Sequence, residues 1–176
     1  VEPFGIFYSQ KYNIVIFHSI GGAPGSEWKL SEVLLQIAKQ LDAEEIISLE
    51  GIGSADDTDT SKTFFYTSSP AKAKQLEKLK IEPLKEGIIM GGTSALLLKG
   101  EKLPVSCIFA ETHTKMPDSK AAAKIIETLD TYLGLKVDTK PLLQMAQDFE
   151  AKLKGIISQT LIAKKSKDKK PQDYFG

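Results

Sequence analysis

Apolar and polar positions alternate along this chain in two patterns: short unbroken apolar runs, and longer stretches with helical spacing. The densest stretch is Gly87 to Glu111, GIIMGGTSALLLKGEKLPVSCIFAE. Gly87-Ile88-Ile89-Met90 reads as a buried strand that stops at Gly91-Gly92. Thr93 to Lys99 reads as a short helix closed by Gly100. Leu103-Pro104 opens a second apolar run, Val105 to Ala110, which ends at Glu111. Two buried strands joined by a helix make a right-handed βαβ unit. Runs without alternation suit strands covered on both faces. The pattern predicts an α/β fold with a mainly parallel central sheet between helices.

The rest of the chain fits around that centre. Phe4–Tyr8 and Ile14–His18 are rich in aromatic and β-branched residues, and their short link predicts an antiparallel hairpin. Ser26 is placed to cap a helix with Leu30, Leu34, Ile37 and Leu41 on one face. Ile46–Leu49 reads as a short strand ending at Glu50-Gly51-Ile52-Gly53. Ser54 to Lys62 is polar and acidic, as surface loops are. Thr63–Thr67 is a strand, and Ser69-Pro70 opens a helix that turns Ala73, Leu76 and Leu79 inward. Asp118 caps a helix with Ala122, Ile125, Leu129 and Tyr132 or Leu133 inward, closed by Gly134. A long helix follows from about Pro141 to Ala163, with Phe149, Leu153, Ile156 and Thr160 at coiled-coil-like spacing. It either covers the core or forms an oligomer seam. One domain, residues 1–163, is expected, followed by a flexible basic tail, 164–176.

Composition narrows the function. The 176 residues carry 23 basic and 23 acidic side chains, and every basic one is lysine. A neutral chain without arginine lacks the global field and the bidentate donors that nucleic acid selects. No apolar run approaches the ~20 residues of a membrane helix, and no signal peptide is visible. The single cysteine, Cys107, fits a reducing cytoplasmic setting and lies mid-strand, where a thiol is a small hydrophobe.

In an open parallel sheet, ligands bind where the strands end. The candidate pocket there comprises His18, Glu50, Gly51, Gly53, Gly91, Gly92, Thr93, Glu111 and His113. The Gly91-Gly92-Thr93 turn exposes N–H groups at a helix start, an anion-binding arrangement. Two carboxylates can do acid–base work or hold a ribose. Against this, GGTS matches neither the Walker loop nor the dinucleotide fingerprint, and the histidines lack metal-ligand spacing. Glycine pairs after strands are ordinary turn chemistry, and both glutamates can serve loop amides. No catalytic residue, metal ligand or cofactor is assigned. The alternative is a small-molecule enzyme of nucleoside or phosphate type working at this edge. Tyr174-Phe175, after a basic spacer, is either a docking tip or an idle terminus.

The run EGIIMGGTSALLLKGEKLPVSCIFAET, followed by PDSKAAAKIIETLDTYLGLKVDTKPLLQMAQDFE, resembles the PAC2 family of proteasome assembly chaperones and their archaeal relatives. Glu50-Gly51-Ile52-Gly53 after a strand fits the same pattern. The resemblance covers about Phe4 to Leu153. It implies a three-layer α/β/α domain, similar in architecture to nucleoside phosphorylases. It also implies a non-enzymatic, ATP-independent chaperone or scaffold that binds proteasome α-subunits and self-associates. The family pattern opens with a strand and a Pro-Gly-x-Gly loop, and Val1 falls after that point, so an N-terminal strand–loop–helix unit is expected to be missing. Some relatives dock through a terminal hydrophobic-Tyr-any triplet; in Tyr174-Phe175-Gly176 the tyrosine stands one place early.

Overall fold

The computed structural model describes residues 4–19, 25–53, 62–100, 103–112 and 118–167. The order is β1 (Phe4–Ser9), β2 (Ile14–Ser19), α1 (Glu27–Gln40), β3 (Ile46–Gly53), β4 (Thr63–Thr67), α2 (Pro70–Lys78), β5 (Glu82–Pro83), α3 (Gly91–Lys99), β6 (Val105–Thr112), α4 (Ser119–Leu133) and α5 (Lys140–Lys167). β1 and β2 pair antiparallel as a separate two-stranded sheet. The main sheet has the order β3-β6-β4-β5.

This sheet is mixed. β6 runs parallel to β3 and antiparallel to β4, and β4 pairs parallel with the two-residue β5. β6 forms the core because it has a neighbour on each side and a helix on each face. Val105, Cys107, Ile108, Phe109 and Ala110 are fully buried, as an unbroken apolar run requires.

Two side-chain contacts assign the helices to faces. The Thr93 and Ser48 hydroxyls are 2.5 Å apart, which puts α3 on the face carrying Ser48, Glu50, Cys107 and Glu111. The Thr128 hydroxyl donates to that of Thr63 at 3.2 Å, which puts α4 on the opposite face. α1 packs on α3, and α5 packs on α4. Leu76 of α2 joins Phe65, Ile81 and Tyr132 in a cluster under the α4 face. The result is helices, sheet, helices, in three layers.

The caps explain most helix boundaries. Ser69 accepts from the Lys72 N–H, with Pro70 at the first helical position. Asp118 accepts from the Ala121 N–H at 3.0 Å. Gly134 takes the left-handed conformation that ends α4. Ser26 stands at the start of α1, but its side chain makes no cap bond.

Three expectations need correction. Gly87–Met90 is not a strand: Ile88 is 87% exposed and Met90 73%, and the run leads as a loop into α3. A ladder needs a neighbour, and the edge position beside β4 is already held by β5. The expected βαβ unit therefore does not form, and β6 pairs with β3 instead. The inward face of α4 is centred on Ala121, Thr128 and Tyr132, while Ala122 is exposed. α5 extends through Lys164–Lys167, into the segment read as a tail.

Candidate functional site

The site is built from three chain ends that meet at one rim. β3 and β6 are parallel with Ile52 opposite Glu111, so Glu50 and Glu111 leave the sheet at the same end and on the same face. α3 runs antiparallel to them. Gly100, just past its end, lies so close to β6 that an added Cβ would meet Val105 Cγ2 at 2.6 Å, while Thr93 in its first turn touches Ser48. The start of α3, Gly91-Gly92, therefore points toward the rim where the two glutamates stand. Gly91 has φ +72°, a conformation that suits glycine, and it turns the exposed loop into the helix.

The geometry engages most of the polar groups at this rim. The Glu111 Oε2 accepts from the Lys62 N–H at 3.2 Å, and the Glu111 N–H donates to the Lys62 carbonyl at 2.9 Å. This carboxylate clamps the chain as it enters β4. The Thr93 hydroxyl is buried and held against Ser48. The Ser94 hydroxyl turns back to the Gly91 carbonyl at 2.8 Å. Gly51 makes room for a neighbour: a Cβ there would lie 2.9 Å from Thr112 Cγ2. Thr112 in turn donates to the Ile52 carbonyl at 3.2 Å. Gly53 is exposed at the end of β3.

Glu50 is half-buried on the α3 face, near Cys107. Burial first, and the Glu50 charge second, push the Cys107 thiol up to about 12. It stays protonated and is no nucleophile. His18 lies elsewhere, on β2 opposite Gly5, outside the hydrogen-bonded main sheet. His113, Tyr174 and Phe175 lie outside the described residues. Among the described residues, no group of three or more His, Cys, Asp or Glu side chains could hold a metal ion. No described helix is long and apolar enough to cross a membrane.

A cleft of about 380 Å³ opens at the other end of the sheet, between Ser68, Ser69 and Pro70 on one side and Leu97, Leu98 and Leu103 on the other. Its two hydroxyls are already used. Ser68 Oγ accepts from the Val105 N–H at 3.1 Å, and Ser69 caps α2. The cleft is apolar and offers little to orient a polar substrate.

A polar network that the sequence pattern did not reveal lies near the same end. The buried Glu45 carboxylate receives the Tyr132 hydroxyl at 2.9 Å and 3.1 Å, the Ser106 hydroxyl, and Lys72 Nζ at 2.8 Å. The Ser106 oxygen also lies 2.8 Å from the Thr67 hydroxyl, which donates to it because the single Ser106 proton goes to Glu45. β3, β4, β6, α2 and α4 are thus fastened at one point. The only advance signal was Glu45 itself, a charge set against an apolar run.

The fold and rim define a three-layer α/β domain whose strand-end surface is made of the clamped Glu111 carboxylate, the half-buried Glu50, glycine turns and exposed apolar loop residues. The chain belongs to the PAC2 family, whose model matches residues 1–157. A crystal structure of Pyrococcus furiosus PbaA, described as an archaeal homologue of a proteasome-assembly chaperone, is similar. It shares 30% identity and a TM-score of 0.79, over 93% of this chain and 73% of that one. Pyrococcus furiosus PbaB, described as an archaeal proteasome activator, has the same fold, with a TM-score of 0.67 at 19% identity over 87% of this chain and 70% of that one. An uncharacterised protein of Methanocaldococcus jannaschii is 27% identical over 88% of this chain. The chain spans 64% of that relative's length.

Proposed function

We propose that the chain acts as a non-enzymatic assembly chaperone or scaffold for the proteasome, binding proteasome α-subunits and associating with its own copies in the cytoplasm. The observation that carries this reading is the likeness to PbaA, at 30% identity over 93% of the chain. The chemistry of the rim supports it. Glu111 and Thr93 are engaged in holding the fold, and Cys107 is buried. Exposed Ile88 and Met90 beside the rim suit contact with another protein. In this reading Glu50, Gly51, Gly53, Gly91, Gly92 and the loop before them form a contact surface, and Tyr174-Phe175 forms a second docking point.

A pulldown tests it, with purified proteasome α-subunits as prey and two baits: residues 1–176, and a chain ending at Ala163. Capture by the longer bait is expected, with weaker capture by the shorter. If neither bait retains α-subunits, the reading fails. Equal capture would keep the scaffold role and remove the tail from it.

A further inference from the structure

We infer that two copies of this chain exchange their β1–β2 hairpins, each hairpin adding to the open edge of β3 in the other copy. The inference rests on the self-association included in the proposed function and names the surfaces that meet.

The β3 edge is open and unprotected. Ile46 donates its N–H to the Pro104 carbonyl at 2.9 Å, so Ile46, Ser48, Glu50 and Ile52 spend their backbone groups on β6. Ile47, Leu49, Gly51 and Gly53 turn theirs the other way, where β3 has no neighbouring strand among the described residues. Natural sheets blunt such edges with short strands, lysine, proline or bulges. The far edge of this sheet is blunted, since β5 has two residues and one is Pro83. β3 has eight residues, keeps an unbroken register and contains neither lysine nor proline, and Leu49 is 45% exposed. A row of alternating backbone donors and acceptors is satisfied by another extended strand.

The protein also carries a strand pair without a larger sheet. Among the described strands, β1 and β2 pair only with each other. The pair is apolar on both faces, with Phe4, Ile6 and Tyr8 on one and Phe7 and Ile16 on the other, each more than half exposed. A two-stranded ribbon is marginal in water, and strands apolar on both faces belong inside a layered sheet.

Handedness gives the hairpin its place. The chain runs β2, α1, β3, and strand–helix–strand links within one sheet are right-handed. Even-numbered residues of β3 point their side chains to the α3 face and their backbone groups to β6. For L-residues this puts β6 on the right of β3, seen from the α3 side with β3 rising. α1 packs on α3, on that same side. A right-handed β2–α1–β3 unit therefore has β2 on the left, at the open edge. One molecule holds both halves yet leaves them apart, its β2 unpaired with its β3. Two copies close the same unit between them, β2 of each beside β3 of the other. Exchange of an identical element is a low-cost route to a dimer.

Sedimentation velocity and amide hydrogen exchange on the full chain test this together. A monomer–dimer equilibrium is expected, and the dimer should protect the amides of Leu49, Gly51 and Gly53, which exchange fast in the dilute monomer. The amides of Ser48, Glu50 and Ile52 should be protected at both concentrations. Leu49→Pro removes one outward N–H and keeps every bond to β6, so it should weaken the dimer by about tenfold or more. Ile6→Asp with Ile16→Asp in the hairpin should do the same. If Leu49→Pro melts without cooperativity, Leu49→Lys, at an exposed side chain, takes its place as the edge block. Mixing is the sharper arm: the two variants together should associate more strongly than either alone, because the intact hairpin of one fits the intact edge of the other. A chain that stays monomeric with fast exchange at Leu49, Gly51 and Gly53 overturns both this inference and self-association. A monomer with those amides protected assigns the edge to the chain's own hairpin and overturns the inference. Association that leaves those amides unprotected, or that ignores both variants, overturns the inference and leaves self-association standing. Capture of α-subunits is judged separately by the pulldown.

Discussion

The Tyr132 hydroxyl meets both oxygens of the Glu45 carboxylate, at 2.9 Å and 3.1 Å, and so ties α4 to the start of β3. Lys72 completes the arrangement from α2, with its ammonium 2.8 Å from Glu45 and 5.9 Å from the centre of the Tyr132 ring. Burial, then the Glu45 hydrogen bond and charge, raise the Tyr132 phenol well above its ordinary value, so it remains a donor. Tyr132→Phe should lower stability by about 1–3 kcal/mol, since it leaves a buried acceptor short of a partner. Glu45→Ala should cost more, about 3–5 kcal/mol, because Lys72 and two hydroxyls lose their common acceptor. Urea unfolding checks this through the midpoint, with the slope unchanged. Midpoints equal to the unsubstituted protein would show that the network contributes nothing.

The α4–α5 junction should be acid-sensitive. Lys154 first, then the Ser119 hydroxyl and N–H, hold the Glu150 carboxyl down to about 2, against an ordinary 4.5. A depressed carboxyl stabilises the fold above its unfolded value and loses that contribution as pH falls through its folded one. The stability gap between the protein and Glu150→Gln should therefore be full above pH 4.5 and close toward pH 2. Urea midpoints measured across that range decide the matter. A gap that persists at pH 2 would contradict the assignment.

Cys107 should resist thiol reagents. It is fully buried in β6, and its thiol is pushed up to about 12. Iodoacetamide at neutral pH should leave it unlabelled in the native protein and label it fully in urea, as read by intact mass. Labelling of the folded protein would mean that β6 opens locally.

The two glycines that begin α3 should respond in opposite directions. Gly91 sits at φ +72°, so Gly91→Ala should destabilise by about 1–2 kcal/mol. Gly92 has no positive φ and an added Cβ would meet nothing within 4 Å, so Gly92→Ala should be neutral or stabilise by up to about 1 kcal/mol. Thermal melts of the two variants compare them directly.

Local chemistry was legible in the sequence wherever one residue dictates its own surroundings. Ser69-Pro70, Asp118 and Gly134 mark helix ends because capping acts within a few positions. The unbroken run of β6 announced a strand covered on both faces. Gly87–Met90 misled because four apolar residues describe a buried strand and an exposed loop equally well, and only the neighbouring ladder separates the two. β5 was invisible for the same reason: Glu82-Pro83 has no strand pattern, and it pairs because β4 lies beside it. At the rim, the sequence picked out Glu50, Gly91 and Glu111. It could not show that Glu111 is held by Lys62, a partner that pairing alone brings near. The Glu45 network was hidden because its members come from five elements far apart in the chain.

The last of the described strands, β6, is the one that both β3 and β4 need as a neighbour. While the protein is being synthesised, these two earlier strands emerge and wait without their shared partner. Until Thr112 has left the ribosome, the main sheet can hold nothing beyond the two-residue β4–β5 pairing. A nascent chain stalled before β6 would present apolar segments with no sheet to enter, so translation pauses placed there should make its folding dependent on cellular chaperones.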